Sequence, residues 1–369
     1  MPPKLPTSPT YDATGIQHHT IENFTFLNGR TLPSITVAYR SLNPSSTHGT
    51  ILIPTCFSGS INNTLTFSQS PFDSLAPYHI VVAAMLSNGE SSSPSNTPDY
   101  PSVGEQHYED VIKAHHDLLT RCLGISQLTA VLGFSMGGQQ AYHWAVQHPT
   151  YVGRIISICS SARTSAHNYA FLEGPIAALQ NSEAYLIWKR NGSDPAKLAQ
   201  PTHGLMAFGR SYAAWLTSAE WFRRRLWRTQ LGFESVDAWI RSGREESVLA
   251  HNADDLLMNA RMWQMGDIGA TAHCHISALA GGTGDDELYQ AALRGIACPV
   301  LLMPCRTDQY FPPEDSLLEA QSLRDARVRV IESCWGHIAG GGANEEDVRF
   351  MNAQIAEFMA SSSSASVSS

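Results

Sequence analysis

Short apolar runs alternate with longer amphipathic stretches along most of the chain. The apolar runs are continuous, which is typical of strands buried on both faces of a parallel sheet. They lie at 49–54, 79–85, 128–132, 153–159, 299–304 and 328–331. Stretches with helical spacing lie at 109–123, 136–148 and 344–359. This alternation predicts an α/β fold with a mostly parallel central sheet and helices on both faces.

Two parts of the chain depart from this alternation. Near the N-terminus, the strand-like segments 23–29 and 35–40 are joined by a turn at Asn28-Gly29, which is typical of a hairpin. From about 164 to 295 the chain is rich in Trp, Arg, Met and Ala at helical spacing, without a clear strand pattern. We therefore expect a helical cap inserted into the α/β core.

These patterns define four predicted regions. The first part of the core covers 1–163, the cap covers 164–295, and the second part of the core covers 296–360. The serine-rich end at 361–369 has a low-complexity composition and is expected to be disordered.

The composition is that of a globular protein. Hydrophobic residues make up 43% of the 369 positions and charged residues 15%. The net charge of −9 disfavours nucleic acid or an anionic membrane as a partner. No apolar run approaches the ~20 residues of a membrane span. Seven scattered cysteines without a C-x-x-C pair, and an N-terminus without an apolar signal core, indicate a cytoplasmic location.

One motif lies where a predicted strand meets a predicted helix. Residues 133–137 read Gly-Phe-Ser-Met-Gly, which is a G-x-S-x-G sequence. The serine of such a motif occupies a strained strand-to-helix turn, and small residues at Gly133 and Gly137 let neighbouring backbone pass close by. A chance match to a short pattern is the alternative. The strand before and the helix after favour Ser135 as a nucleophile.

A serine nucleophile needs a base and a group that orients the base. Asp308 follows the predicted strand at 299–304, and His337 lies in a glycine-rich loop after the last predicted strand. The order of serine, acid and histidine is that of α/β-hydrolases. An Asx turn before Pro312-Pro313 is the alternative for Asp308. The rival acids, none of which follows a strand so directly, are Asp285, Asp286, Asp315 and Asp325.

Acyl transfer also needs hydrogen-bond donors for a developing oxyanion. The backbone N–H of Met136, directly after Ser135, is one expected donor. The N–H of Phe57, in the small-residue loop after the strand at 49–54, is the other. An ordinary turn at 58–60 is the alternative for that loop.

No other cluster indicates a metal or a cofactor. His273-Cys274-His275 is the densest group of candidate metal ligands, and no second ligand pair accompanies it. The basic run at 223–225 is expected to form a solvated helix face with Trp221 and Trp227 turned inward. A contact with the phosphates of CoA is the alternative for this run.

Several segments resemble the homoserine O-acetyltransferase-like branch of the α/β-hydrolases, and the resemblance extends over nearly the full chain. The matching segments are 37–40, 88–94, 133–140, 218–221, 252–254, 307–313 and 336–337. The resemblance implies a helical cap over the active site, a ping-pong mechanism through an acyl-serine, and a homodimer joined through cap helices. It implies the triad Ser135, Asp308 and His337.

The chain departs from this branch at the segment that the resemblance assigns to substrate binding. The acetyltransferases have an arginine in a T-Y-R-S segment, where this chain reads Trp215-Leu216-Thr217-Ser218. Thr217 has no charge with which to hold a carboxylate, so we expect homoserine to be a poor acceptor. The candidate substrate-binding residues are Thr217, Trp215 and Arg210, and Arg261 is a further candidate cation.

The leading hypothesis is a serine hydrolase that cleaves an ester or thioester, since the resemblance extends to hydrolases of fungal secondary metabolism that act on less polar substrates. An O-acyltransferase with acetyl-CoA or another acyl donor is the second hypothesis. A catalytically silent binding protein is the third, which an intact triad disfavours. The expected partner is a small acyl ester or thioester, including acyl-CoA.

Overall fold

An eight-stranded sheet forms the centre of the protein. The computed structural model describes residues 14–69, 72–194, 197–275 and 285–361. Its strands are β1 (Gln17–Thr25), β2 (Thr31–Leu42), β3 (Thr50–Pro54), β4 (His79–Ala83), β5 (Ala130–Phe134), β6 (Ile155–Ile158), β7 (Val300–Met303) and β8 (Ala326–Val328). Their order in the sheet is β1-β2-β4-β3-β5-β6-β7-β8. β2 pairs antiparallel with β1 and β4, and the other pairs are parallel. The predicted mostly parallel sheet is confirmed.

Helices cover the sheet and fill the long segment between β6 and β7. The helices before β7 are α1 (Ile61–Thr64), α2 (Tyr108–Asp117), α3 (Met136–Gln147), α4 (Ala166–Gln180), α5 (Glu183–Arg190), α6 (Thr202–Tyr212), α7 (Ala219–Arg223), α8 (Leu226–Thr229), α9 (Val236–Ile240), α10 (Glu246–Val248), α11 (Ala253–Gln264), α12 (Ile268–His275) and α13 (Asp285–Gly295). After β7 come α14 (Pro313–Ser322) and α15 (Glu345–Ala360). None of the helices within the described ranges has the length and apolar character needed to cross a membrane.

Helices α4 to α13 lie where the helical cap is expected, and the cap as a separate domain with bounds 164–295 remains a prediction. The side chains of His273-Cys274-His275 lie outside the described part of the structure. Residues 362–369 of the predicted disordered tail also lie outside it.

The two edge strands differ from their predicted bounds, and β2 also begins earlier, at Thr31 rather than near residue 35. β1 begins at Gln17 rather than near residue 23, because it pairs with β2 from Gln17 opposite Tyr39 onward. Most of its side chains are exposed, so its first half carries no apolar pattern. At the other edge, β8 ends at Val328, although Ile331 still forms a bridge with Cys305. The differences in β1 and β8 occur at sheet edges, where one side of the strand is unpaired and burial is partial.

The central strands are covered on both faces. Every residue of β3 and β4 is buried. Leu52 packs in the core on one face of the sheet, whereas Ile51 and Ile53 pack in the core on the other, because successive side chains of a strand point to opposite faces. Burial of apolar surface on both faces, at roughly 25 cal/mol per Å², makes the centre of the sheet a rigid base. β5 lies in that centre, between β3 and β6.

A buried carboxylate joins three helices on one side of the sheet. Glu319 of α14 accepts hydrogen bonds from the Tyr142 hydroxyl of α3 at 2.7 Å and the Tyr289 hydroxyl of α13 at 3.0 Å. It also accepts one from the backbone N–H of Ala162 at 2.7 Å. Burial is the largest influence on this carboxyl group and raises its pKa to about 7. The folded state therefore favours the protonated form of Glu319 at pH values where an exposed glutamate would be ionised.

We predict that Glu319→Gln makes the stability of the protein less dependent on pH. A raised folded-state pKa contributes stability that is fully present below the unfolded pKa near 4.5 and is lost as pH rises through about 7. The wild type should therefore lose up to about 3 kcal/mol relative to the variant between roughly pH 4.5 and pH 8. Urea unfolding at several pH values measures this difference. Glu314→Gln, exposed on the same helix, is the control, and parallel pH curves for wild type and Glu319→Gln would contradict the prediction.

Candidate active site

Ser135 occupies a sharp turn between β5 and α3. β5 ends at Phe134 and α3 begins at Met136, so a single residue makes the turn. Its backbone has φ 57° and ψ −127°, a conformation that costs a non-glycine residue on the order of 1–3 kcal/mol. Hydrogen bonds hold the turn: the Ser135 N–H donates to the Ile158 carbonyl at 2.9 Å, and the Ser135 carbonyl accepts from Gly138 N–H at 2.8 Å. The G-x-S-x-G motif thus forms the predicted strand-to-helix turn.

The glycines of the motif are required by close backbone contacts. A Cβ atom at Gly133 would lie 2.0 Å from the carbonyl carbon of Gly137. A Cβ atom at Gly137 would lie 2.9 Å from the carbonyl oxygen of Pro54, at the end of β3. Backbone atoms cannot move aside as side-chain ends can, so any larger residue would displace the turn.

A continuous chain of hydrogen bonds connects Ser135 with His337 and Asp308. The Ser135 Oγ lies 2.9 Å from His337 Nε2, and His337 Nδ1 lies 2.8 Å from Asp308 Oδ2. The other carboxylate oxygen, Oδ1, accepts from the N–H groups of Tyr310 at 2.8 Å and Phe311 at 3.2 Å. With the carboxylate as acceptor, Nδ1 carries the ring proton and Nε2 is free to accept from the serine hydroxyl.

All three side chains are shielded from solvent. Ser135 is 3% exposed, and Asp308 and His337 are 4% exposed. The four rival aspartates make no recorded contact with His337 in the described ranges. Asp286, for example, pairs with Arg163 on the surface. The structure therefore brings together the three residues that were predicted to act as a unit.

Aromatic rings hold the His337 imidazole in place. The ring centroids of Phe134 and Tyr310 lie 4.8 Å and 4.7 Å from that of His337. Phe311 lies 5.6 Å away. Phe134, at the second position of the motif, thus packs its ring against the histidine. These contacts restrict rotation of the imidazole and keep water from its sides.

The predicted oxyanion donors lie close to this arrangement. Met136 is the first residue of α3, where backbone N–H groups have no partner within the helix. Phe57 lines the same cavity as Ser135. Within the described ranges, neither of these two N–H groups donates a hydrogen bond to a backbone carbonyl. Their role in binding an oxyanion remains a prediction.

A cavity of about 250 Å³ opens onto Ser135 and His337. Most of its wall is apolar and comes from both core and cap. The aromatic and aliphatic wall residues are Phe57, Phe67, Phe134, Phe208, Tyr212, Leu216, Val248 and Ile338. Phe57 stacks on Tyr212 of α6 at 5.7 Å between ring centroids, so the cap is packed directly on the loop of the expected oxyanion donor. Such a cavity is suited to a small, mainly apolar substrate.

The three predicted substrate-binding residues, and Arg261 as the further candidate cation, do not lie on the cavity wall. The Arg210 guanidinium is half exposed and contacts the Glu245 carboxylate at 2.5 Å. Arg261 pairs with Glu173, also at 2.5 Å. Trp215 packs against Phe171, with ring centroids 4.6 Å apart. Arg210, Arg261 and Trp215 therefore already pair or pack with other residues of the segment 164–295.

Thr217 is completely buried and has a structural position. Its carbonyl oxygen accepts from Gln309 Nε2 at 2.6 Å, and the next hydroxyl, of Ser218, donates to the Cys334 carbonyl at 2.6 Å. This segment therefore joins the loop of Asp308 to the loop of His337. The adjacent residue, Leu216, lines the cavity instead.

Arg244 is the charged residue on the cavity wall that the sequence reasoning missed. It lies in a short π-helical turn, Arg241–Glu245, between α9 and α10. Nothing in the local pattern distinguishes it from its neighbour Arg241, which is exposed and paired with Asp237. Only the folding of the cap over the core brings Arg244, and not Arg241, to the cavity.

Comparisons with known proteins identify the family to which the chain belongs. The family described as alpha/beta hydrolase fold matches residues 49–340. The chain is 30% identical to an ethyl acetate hydrolase from Pseudomonas veronii over 341 residues, which cover 90% of this chain and 92% of that protein. It is 24% identical to a homoserine O-acetyltransferase from Chlorobium chlorochromatii over 332 residues, which cover 84% of this chain and 87% of that protein.

A solved structure also resembles this one closely. It is an acetylester hydrolase from Corynebacterium glutamicum, with a TM-score of 0.80 and 25% sequence identity, and it covers 94% of this chain and 96% of that chain. The family match includes the turn at Ser135 and the loops of Asp308 and His337. The chain belongs to the α/β-hydrolase fold family, in the branch that contains homoserine O-acetyltransferases and related esterases.

Proposed function

We propose that the protein is a serine hydrolase that cleaves small acyl esters or thioesters through an acyl-enzyme on Ser135. The observation that carries this proposal is the hydrogen-bonded chain from Ser135 through His337 to Asp308 at the wall of a cavity. Membership of a family of esterases and acyltransferases supports it. The 30% identity to a protein named ethyl acetate hydrolase supports a short acyl group.

The first half of the reaction transfers the acyl group to the protein. The Ser135 Oγ attacks the substrate carbonyl carbon while its proton passes to His337 Nε2. Asp308 stabilises the imidazolium that forms, and the negative charge on the carbonyl oxygen is directed to the N–H groups of Met136 and Phe57. When the tetrahedral intermediate collapses, the bond to the leaving alcohol or thiol breaks, and His337 returns the proton to the leaving group.

The second half releases the acyl group. A water molecule attacks the acyl-serine carbonyl while His337 Nε2 takes its proton, and the Ser135 Oγ then leaves and recovers that proton. The products are a carboxylic acid and the free enzyme. An alcohol in place of water would make the same enzyme an O-acyltransferase, which is the second candidate function. The relationship to homoserine O-acetyltransferases supports this alternative.

Two features favour hydrolysis over transfer to homoserine. Thr217 stands where the acetyltransferases have an arginine, and it is buried away from the cavity. Within the described wall there is also no Asp or Glu that could accept the ammonium group of an amino acid. Zwitterionic substrates would therefore lose hydration of the ammonium group without a matching partner.

Location and assembly extend the same proposal. A cytoplasmic location is supported by six cysteines that are free in the described ranges. A homodimer through the cap is supported by Leu186 and Ile187, which are 44% and 39% exposed on α5. The proposed partner is a small ester or thioester rather than nucleic acid or membrane, in keeping with the net charge of −9.

We predict that hydrolysis of a short ester depends on the three residues as a unit. Ser135→Ala and His337→Ala should each lower kcat by roughly 10⁴- to 10⁶-fold. Asp308→Asn should lower it by about 10⁴-fold, because the amide favours the wrong imidazole tautomer. Steady-state hydrolysis of a chromogenic acetyl ester measures these effects. Ser211→Ala, an exposed serine on α6, serves as control, and wild-type rates for Ser135→Ala would contradict the assignment.

A second prediction concerns the acyl-enzyme. Intact-protein mass spectrometry after brief mixing with an acetyl ester should show one added acetyl group on wild type, because attack by Ser135 precedes water attack. Ser135→Ala should show none. Labelling that persists in Ser135→Ala would place the acyl group on another residue.

The third prediction concerns the acceptor. The kcat/KM for homoserine with acetyl-CoA should be about 30- to 1000-fold lower than that for an uncharged short-chain ester, the range expected when the ammonium group lacks a charge-assisted contact of roughly 2–4 kcal/mol. Parallel assays of acetyl-homoserine formation and ester hydrolysis provide the comparison. If homoserine were acetylated as efficiently as the best ester is hydrolysed, transfer would be the main activity.

A further inference from the structure

The cavity wall carries one positive side chain within the described residues, Arg244. It faces the same space as Ser135 and His337, together with its near neighbours Ser247 and Val248. The rest of the wall is mainly aromatic and aliphatic. A guanidinium group in such surroundings has lost hydration that a purely structural surface arginine would keep.

The charge of Arg244 has no acidic partner among the described residues. Of the acids near it along the chain, Glu245 pairs with Arg210 and Asp237 pairs with Arg241 at 2.8 Å, whereas Glu246 is exposed and forms no ion pair with Arg244. The Nε atom of Arg244 is shielded from solvent and has no hydrogen-bond partner within the described ranges. Burial lowers the pKa of this guanidinium group.

The aromatic side chains near this charge are neutral. Burial raises the pKa of the nearby Tyr310 and Tyr212 phenols, which keeps them uncharged. The Trp239 ring lies 5.7 Å from the guanidinium carbon. A buried cation that is left without a counter-ion is costly to the fold. A ligand that brings a negative charge into the cavity would remove this cost.

The guanidinium group selects the kind of anion. Its planar fork of N–H groups matches the two oxygens of a carboxylate. The phosphates of CoA are less suitable, because they are far from its acyl group, whereas Arg244 and Ser135 line the same small cavity. A short substrate can reach both Arg244 and Ser135, because the two residues line one cavity.

We propose that Arg244 binds a carboxylate group of the substrate, so that the preferred substrates are short esters that carry a second, ionised carboxyl group. This inference rests on the proposed esterase function and specifies its substrate class. The carboxylate belongs either to the acyl part, as in a monoester of a short dicarboxylic acid, or to the alcohol part, as in the acetyl ester of a short hydroxy acid. Arg244 is thus a specificity residue that holds the substrate while Ser135 attacks.

The test compares esters that differ only in charge. Each carboxylated ester, one of the acyl type and one of the alcohol type, is paired with a neutral ester of equal length. The quantity of interest is the ratio of kcat/KM for the carboxylated ester to kcat/KM for its neutral partner. For at least one pair, Arg244→Gln should lower this ratio by about 10- to 100-fold, as expected for loss of a charge-assisted hydrogen bond. The pair that responds identifies which part carries the carboxylate.

A matched control lies on the same turn. Arg241→Gln removes an exposed guanidinium group from the surface and should leave the ratio unchanged. Arg244→Lys keeps the charge without the fork and should recover part of the ratio. Equal ratios in wild type and Arg244→Gln for both pairs would overturn the proposal. If Arg244→Gln slowed the turnover of acetyl-CoA and of no other substrate, Arg244 would bind a phosphate of CoA. That result would also overturn the proposal.

A second measurement uses the wild type alone, so it does not depend on how the variants fold. A short dicarboxylate should inhibit neutral-ester hydrolysis competitively at least 10-fold more strongly than the diamide of the same length. Equal inhibition by the two compounds would overturn the role of Arg244. If the proposed esterase function itself were wrong, any ester hydrolysis would persist in Ser135→Ala. The two failures can therefore be distinguished.

Discussion

The tight turn at Ser135 is the constraint on which the rest of the site depends. A non-glycine residue at φ 57° is held there only because neighbouring elements leave it no alternative. β5 is buried in the centre of the sheet, and α3 is buried along nearly its whole length. The close approach of Gly133 to Gly137 completes the constraint. The hydroxyl of Ser135 therefore has a defined direction before any substrate binds.

The acid and histidine loops are positioned by contacts that cross from core to cap. Asp308 is oriented by two backbone N–H groups of its own loop, and the His337 ring is held between aromatic side chains. The segment at Thr217 and Ser218 hydrogen-bonds to both loops. This segment therefore helps to set the distance between base and nucleophile. A change in how this segment packs would therefore change the position of the His337 imidazole.

The electrostatics of the cavity follow from which charges are paired. Arg210, Arg241 and Arg261 each have a carboxylate partner in the cap, whereas Arg244 has none among the described residues. Of these four arginines, only Arg244 lies on the cavity wall. On the proposed role of Arg244, this difference would give a mainly apolar cavity a preferred orientation for its substrate.

The sequence by itself determined the sheet, the turn at Ser135, and the positions of Asp308 and His337. These features are local: continuous apolar runs reflect burial on both faces, Ser135 directly follows a strand, and Asp308 and His337 lie in the loops after the last two strands. Tertiary structure decided the rest. Whether Thr217, Arg210 or Arg244 meets the cavity depends on how the cap helices pack over the core, since one face of each helix is buried by distant partners. Arg241 and Arg244 look alike in sequence. Only packing decides that Arg241 is exposed and paired with Asp237, whereas Arg244 lines the cavity without an acidic partner among the described residues.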